Sequence, residues 1–255
     1  MSGNPLVRVG LLIAIAAAAA GWSAPAAAQP LHPAAVRDVA AELACGPTAV
    51  EALPLDALRL AGGAVAGKVL FGAGETVVVR GGSASGLKPG QQFYVRRIVS
   101  DRFTPSVRDG ISLHSVHTAG WIRIADVQRE TAAATVTHAC GELMEGDYLE
   151  PFALPEVPAT APAGTEDFSS PGRLILADER RQVGSAGSLM VLDRGASHGL
   201  RPGQRVTIFR LWPNGGPLVR VGDATAVVVG PARSTVRIER SSDAIYVGDL
   251  AAIQR

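Results

Sequence analysis

One turn is written twice in this chain, as Gly86-Leu87-Lys88-Pro89-Gly90-Gln91 and as Gly199-Leu200-Arg201-Pro202-Gly203-Gln204, with Gly86 and Gly199 113 residues apart. The same offset relates the flanks. Thr76 to Val79 matches Leu189 to Leu192 before the turn, and Phe93-Tyr94-Val95 matches Val206-Thr207-Ile208 after it. Such a duplication requires one small unit that folds twice. Pro89 and Pro202 preset φ at the second turn position, and Gly90 and Gly203 supply the positive φ that a type II turn needs at the third. Each copy therefore predicts a β-hairpin corner.

In the first copy, residues 68–71 and 75–79 are strand-like and flank Gly72-Ala73-Gly74, which predicts a hairpin. Strands are expected again at 92–98, 121–127 and 131–139, with an insertion at 99–118, and Gly146-Asp147-Tyr148-Leu149 closes the unit. The second copy keeps this order. Gly172-Arg173-Leu174-Ile175-Leu176 aligns with Gly67-Lys68-Val69-Leu70-Phe71, Val221-Gly222 with Ala119-Gly120, Ser234-Thr235-Val236 with Ala134-Thr135-Val136, and Gly248-Asp249-Leu250 with Gly146-Asp147-Tyr148. About six short strands per copy predict a mainly β fold, with two tandem small β-barrel modules at residues 67–152 and 172–255.

The remaining segments set the context. Residues 1–28 read as a signal peptide, with Arg8, an apolar run over 9–20 and Ala26-Ala27-Ala28 before Gln29. The run is shorter than the ~20 residues that cross a bilayer, so no membrane span is expected after cleavage. Cys45 lies too far downstream for a lipid anchor. Residues 29–66 form an N-terminal helical segment: a helix over 33–44 with Val36, Val39, Ala40 and Leu43 at helical spacing, stopped by Gly46-Pro47, then a helical turn and loop over 47–60. Residues 153–171 carry prolines at 155, 158, 162 and 171 and predict an extended, semi-rigid spacer between two beads.

Two cysteines in an exported chain predict one disulfide, Cys45 to Cys140. A bridge over so long a loop is worth on the order of 4 to 5 kcal/mol in the chain-entropy model. Without Arg8 the 24 basic residues fall to 23, against 23 acidic ones, and this balance argues against nucleic acid or anionic lipid as the partner.

Catalytic motifs fail on inspection. Gly62-Gly63-Ala64-Val65-Ala66-Gly67-Lys68 has phosphate-loop spacing, but Val69 stands where Ser or Thr must reach Mg²⁺. Gly82-Ser83-Ala84-Ser85-Gly86 puts Ala84 where a nucleophile elbow needs Ser. The most chemical cluster is His114 and His117 with His138 and Cys140, since His138 and Cys140 share a strand face and imidazole with thiolate suits Zn²⁺. Against a metal, His114 and His117 face opposite ways on a strand, and Cys140 has its disulfide. Asp147 and Asp249 follow Gly in matched turns, where Asp caps backbone N–H groups. Trp212, beside Pro213-Asn214-Gly215-Gly216, is a candidate partner contact if exposed and otherwise covers the end of a small core.

The run of strand, Gly-Leu-basic-Pro-Gly-Gln turn, alternating strand, strand pair and closing Gly-Asp resembles the small β-barrel modules of bacterial envelope proteins. The turn at Gly86 to Gly90 is similar to that of the carboxy-terminal module of flagellar assembly protein T, and to turns in barrel modules of rod-shape-determining protein C. His117-Thr118-Ala119-Gly120-Trp121-Ile122 and Gly146-Asp147-Tyr148-Leu149-Glu150-Pro151-Phe152 resemble exported bacterial proteins of unassigned function, over most of residues 67–255. The first resemblance implies assembly pieces that bind protein neighbours; neither supplies catalytic residues or a cofactor. The leading expectation is a non-enzymatic periplasmic or extracellular scaffold or assembly protein that docks envelope proteins through two barrels. The alternatives are a peptidoglycan- or polysaccharide-binding module and a zinc-dependent enzyme.

Overall fold

Alternation builds the barrels. In β4 (Thr76–Arg80), Val77 and Val79 are buried while Thr76 and Arg80 face outward, the period-2 pattern of a strand with one side on a core. The computed structural model describes residues 33–99, 113–178, 181–212 and 216–255. The expected signal peptide and most of the 99–118 insertion lie outside these residues.

The first barrel is a ring of β2 (Arg59–Gly63), β4, β7 (Thr131–Ala139), β6 (His114–Val127), β5 (Gln92–Val99) and β9 (Tyr148–Pro151), closed by the pairing of β9 with β2. A short strand β1 (Thr48–Val50) joins it antiparallel along β6. The second barrel is β10 (Glu166–Ala177), β12 (Leu189–Leu192), β15 (Ser234–Ser241), β14 (Leu218–Val229), β13 (Arg205–Leu211) and β17 (Leu250–Gln254), closed by β17 on β10. Strand for strand, the neighbour order is the same in both. Beside each ring lies a two-residue ladder, β3 (Leu70–Phe71) with β8 (Leu143–Met144) and β11 (Val183–Gly184) with β16 (Ile245–Tyr246). Val79, Val95, Ile122 and Val136 fill one interior, and Leu192, Ile208, Ala226 and Ile238 fill the other.

The repeated turn has the expected chemistry in a different place. Gly90 and Gly203 hold φ of 87° and 81°, and Gln91 and Gln204 donate back to the carbonyls of Lys88 and Arg201, as in a type II turn. The turn is not a hairpin corner, because it joins β4 to β5, which are not neighbours. It crosses a barrel end and inserts Leu87 or Leu200 into the core, while Gly90 and Gly203 donate to Ile124 and Ala226 on the strands beneath. Gly86 and Gly199, at φ 78° and 82°, end the 3₁₀ turns that lead into it.

Three further expectations change. Residues 68–71 and 75–79 do not pair as a hairpin; Leu70 and Phe71 pair with Met144 and Leu143. The structural match of Arg173-Leu174 is therefore Arg59-Leu60, not Lys68-Val69: Leu60 and Leu174 each exchange backbone hydrogen bonds with the closing Gly-Asp turn, at Gly146-Asp147 and Gly248-Asp249. The stretch 47–60 contains β1 and the start of β2, both built into the first barrel, so that barrel begins before residue 67.

The two barrels are not beads on a free string. Helix α1 (Pro33–Cys45) wedges between them, with Ala44 in a cluster with Tyr94 and Trp121 of the first barrel and Leu43 in one with Leu189 and Val227 of the second. Glu42 pairs with Arg237 on β15 and Glu51 with Arg233 just before it, and Leu113 packs on Ile175, Leu176 and Val191. The proline-rich segment carries no helix or strand before residue 166, and it is not a free spacer but lies along the second barrel: Ala161 donates to Gly203, Arg205 donates to Ala161, and residues 166–171 already belong to β10. Pro171 falls in the register break between Asp167 and Gly172, where a strand tolerates a missing N–H.

Candidate functional site

Each closing Gly-Asp turn is braced by an arginine from the neighbouring long strand. Arg97 Nε and Nη2 donate to the two Asp147 oxygens at 2.6 and 2.8 Å, and Nη2 also reaches the Glu142 carbonyl. Arg210 repeats this with Asp249 at 2.8 and 2.8 Å and with the Ala244 carbonyl. The aspartates also accept the Met144 and Tyr246 backbone N–H groups, both at 2.8 Å, so the capping role is present and an ion pair is added to it. The hydrogen bond to each aspartate holds its guanidinium above the usual arginine range. Both carboxylates are buried and committed to these bonds, so neither is placed to move protons.

The brace fixes the short ladder beside it. Leu70 faces Met144 across one ladder and Val183 faces Tyr246 across the other, and all four are between 36% and 45% exposed. Their ladder neighbours Phe71, Leu143 and Ile245 are buried. The result is the same apolar cross-strand pair shown to solvent at the same place on both barrels. Arg97 and Arg210 stand 113 residues apart, the offset of the repeated turn, and that is the signal that finds them in the sequence.

The histidines separate. A register shift on β7 pairs Trp121 with His138 and Ile122 with Val136, so Thr137 is the extra residue and His138 leaves the barrel interior for the outer face. There its ring stacks on Trp121, centroids 4.1 Å apart, and Nε2 lies 3.8 Å from Cys45 Sγ. Cys45, at the end of α1, is bonded to Cys140 just after β7, with Cα atoms 5.6 Å apart. His117 and His114 are elsewhere on β6, in register with Arg97 and Val50, and do not join this group. In the second barrel the positions matching Trp121, His138 and Cys140 hold Asp223, Arg240 and Ser242, and Arg240 pairs with Asp223 at 3.1 Å. The first copy alone carries this chemistry, on the face where α1 docks.

Trp212 stands 61% exposed beside exposed Leu211 and Leu218 rather than covering a core. Among the described residues no helix is long and apolar enough to cross a membrane. Neither a protein-family model nor a curated protein matches the chain.

Proposed function

We propose that this is a non-enzymatic exported scaffold or assembly protein of the cell envelope that grips one protein partner at two equivalent points. The observation that carries this reading is the recurrence of an exposed apolar pair, Leu70 with Met144 and Val183 with Tyr246, on ladders braced by the same arginine–aspartate pair. Apolar side chains held rigidly in water are well suited to docking, because little side-chain entropy remains to be lost on binding. Two such points on one rigid body raise avidity without a strong single site. The filled barrel interiors fit this role better than that of a small-molecule carrier. Assembly modules are also what the resemblance of the Gly86 to Gly90 turn implies.

Photo-crosslinking groups placed at positions 144 and 246 in cells test the proposal. Both are expected to capture the same exported protein. Met144→Asp with Tyr246→Asp is expected to abolish capture by a crosslinker at position 70, while either change alone weakens it roughly ten- to a hundredfold. Capture of no envelope protein, or unchanged capture by the folded double variant, overturns it.

A further inference from the structure

The disulfide is reachable from two sides. Cys45 lines a cleft of about 410 Å³ shared with Val183, Ser185 and Leu189 of the second barrel, and Cys140 lines another of about 450 Å³ with Phe71, Glu75 and Glu142. Both cysteines and His138 are half-buried, and one ligand atom from each lies within 4.8 Å of the others. Three soft or borderline donors thus converge where an electron-pair donor and a bridge that can be opened meet.

We propose that reduction of this disulfide converts the group into a Zn²⁺ site of two thiolates and one imidazole, with the fourth position open. Tetrahedral zinc with ~2.3 Å bonds to sulfur and ~2.0 Å bonds to nitrogen sets its sulfur and nitrogen ligands about 3.5 Å apart. The Cys45 Sγ to His138 Nε2 distance is already 3.8 Å. The two sulfurs need to part to about 3.8 Å, which side-chain rotation supplies at a Cα separation of 5.6 Å. The balance is simple. A dithiol reductant breaks the Sγ–Sγ bond and becomes a disulfide itself, its two protons passing to Cys45 and Cys140. Zn²⁺ then displaces those protons, and the two thiolates cancel its charge, which suits a half-buried place. The stack on Trp121 holds the imidazole in position, and the Thr137 bulge is what turns it toward the cysteines. The site's chemistry does not rest on the docking role of the two apolar ladders, although Val183 and Leu70 border the same clefts.

Zinc uptake by the full chain tests this, with a water-soluble phosphine as the reductant so that no competing thiol is added; the phosphine takes its oxygen from water. One zinc per chain is expected after reduction and none before it. Co²⁺ in place of zinc should give tetrahedral ligand-field bands with thiolate-to-cobalt charge transfer. His138→Ala should weaken uptake roughly a hundredfold or more, beyond the loss typical of a supporting residue. The proposal is overturned by any of four results: no stoichiometric uptake by the reduced chain, an octahedral cobalt spectrum without charge transfer, undiminished affinity in His138→Ala, or loss of the strand circular dichroism on reduction.

Discussion

Tyr148 is the residue whose surroundings suit it least. Its side chain is buried at 1% exposure on the face of β9 opposite the core residue Leu149, and its hydroxyl has no hydrogen-bond partner among the described residues. Burial first, and then the charge of Glu150, pushes the phenol up to about 12. An unfolded chain loses that proton near pH 10, so between pH 10 and 12 the unfolded state binds fewer protons than the folded one. The stability tied to this group is therefore complete below about pH 10 and drains away as the pH rises toward 12, by at most about 2 kcal/mol. Tyr148→Phe is expected to remove that alkaline decline and, at neutral pH, to gain about 1 kcal/mol by deleting an unpaired buried hydroxyl. The second barrel places Leu250 at the matching position. Urea midpoints of both chains across this range check it; equal alkaline slopes would contradict it.

The turn shows how one motif takes on unequal duties in its two copies. A Cβ on Gly90 would meet nothing within 4 Å, whereas one on Gly203 would lie 2.1 Å from the Ala159 carbonyl oxygen. Gly90→Ala is thus expected to cost only the positive-φ penalty of about 1–2 kcal/mol. Gly203→Ala must also lift the proline-rich segment and break the Ala161 to Gly203 hydrogen bond, adding roughly 1 kcal/mol and opening residues 153–165 to proteases. Denaturation with limited proteolysis separates the two; equal cleavage would refute it. The turn type was legible because Pro and Gly act locally. Its partner strands were not, since which strands a barrel-end crossover joins depends on closure of the whole ring. The repeat alignment slipped at one segment for a similar reason: Gly67-Lys68 copies the local pattern of Gly172-Arg173, but pairing with the Gly-Asp turn selects Arg59-Leu60. The outward turn of His138 hangs on a single bulge, which alternation in the sequence does not reveal.

At the scale of the whole molecule, the duplication predicted two barrels but not the wedge that joins them. Helix α1 was legible from Val39, Ala40 and Leu43, yet a helical stripe does not say that its two edges meet different bodies. Ala44 packs with Tyr94 and Trp121 on one side while Leu43 packs with Leu189 and Val227 on the other. The disulfide and the pairing of β1 with β6 fix the segment to the first barrel. Its hold on the second rests on packing, the Glu42–Arg237 and Glu51–Arg233 pairs, and the Thr235 hydroxyl on the Pro47 carbonyl. Packing at Leu43 is the strongest of these, because exposed ion pairs contribute only about 0–1 kcal/mol. Both barrels are therefore expected to unfold together in the parent chain. Leu43→Ala leaves a cavity worth roughly 2–5 kcal/mol on the side of the second barrel, where no covalent tether compensates. The variant is expected to split the urea transition in two, with the amides of β12 and β15 exchanging before those of β4 and β7. Hydrogen exchange followed by mass spectrometry reads both barrels at once, and a parent chain whose barrels already open separately would show that the wedge does not couple them.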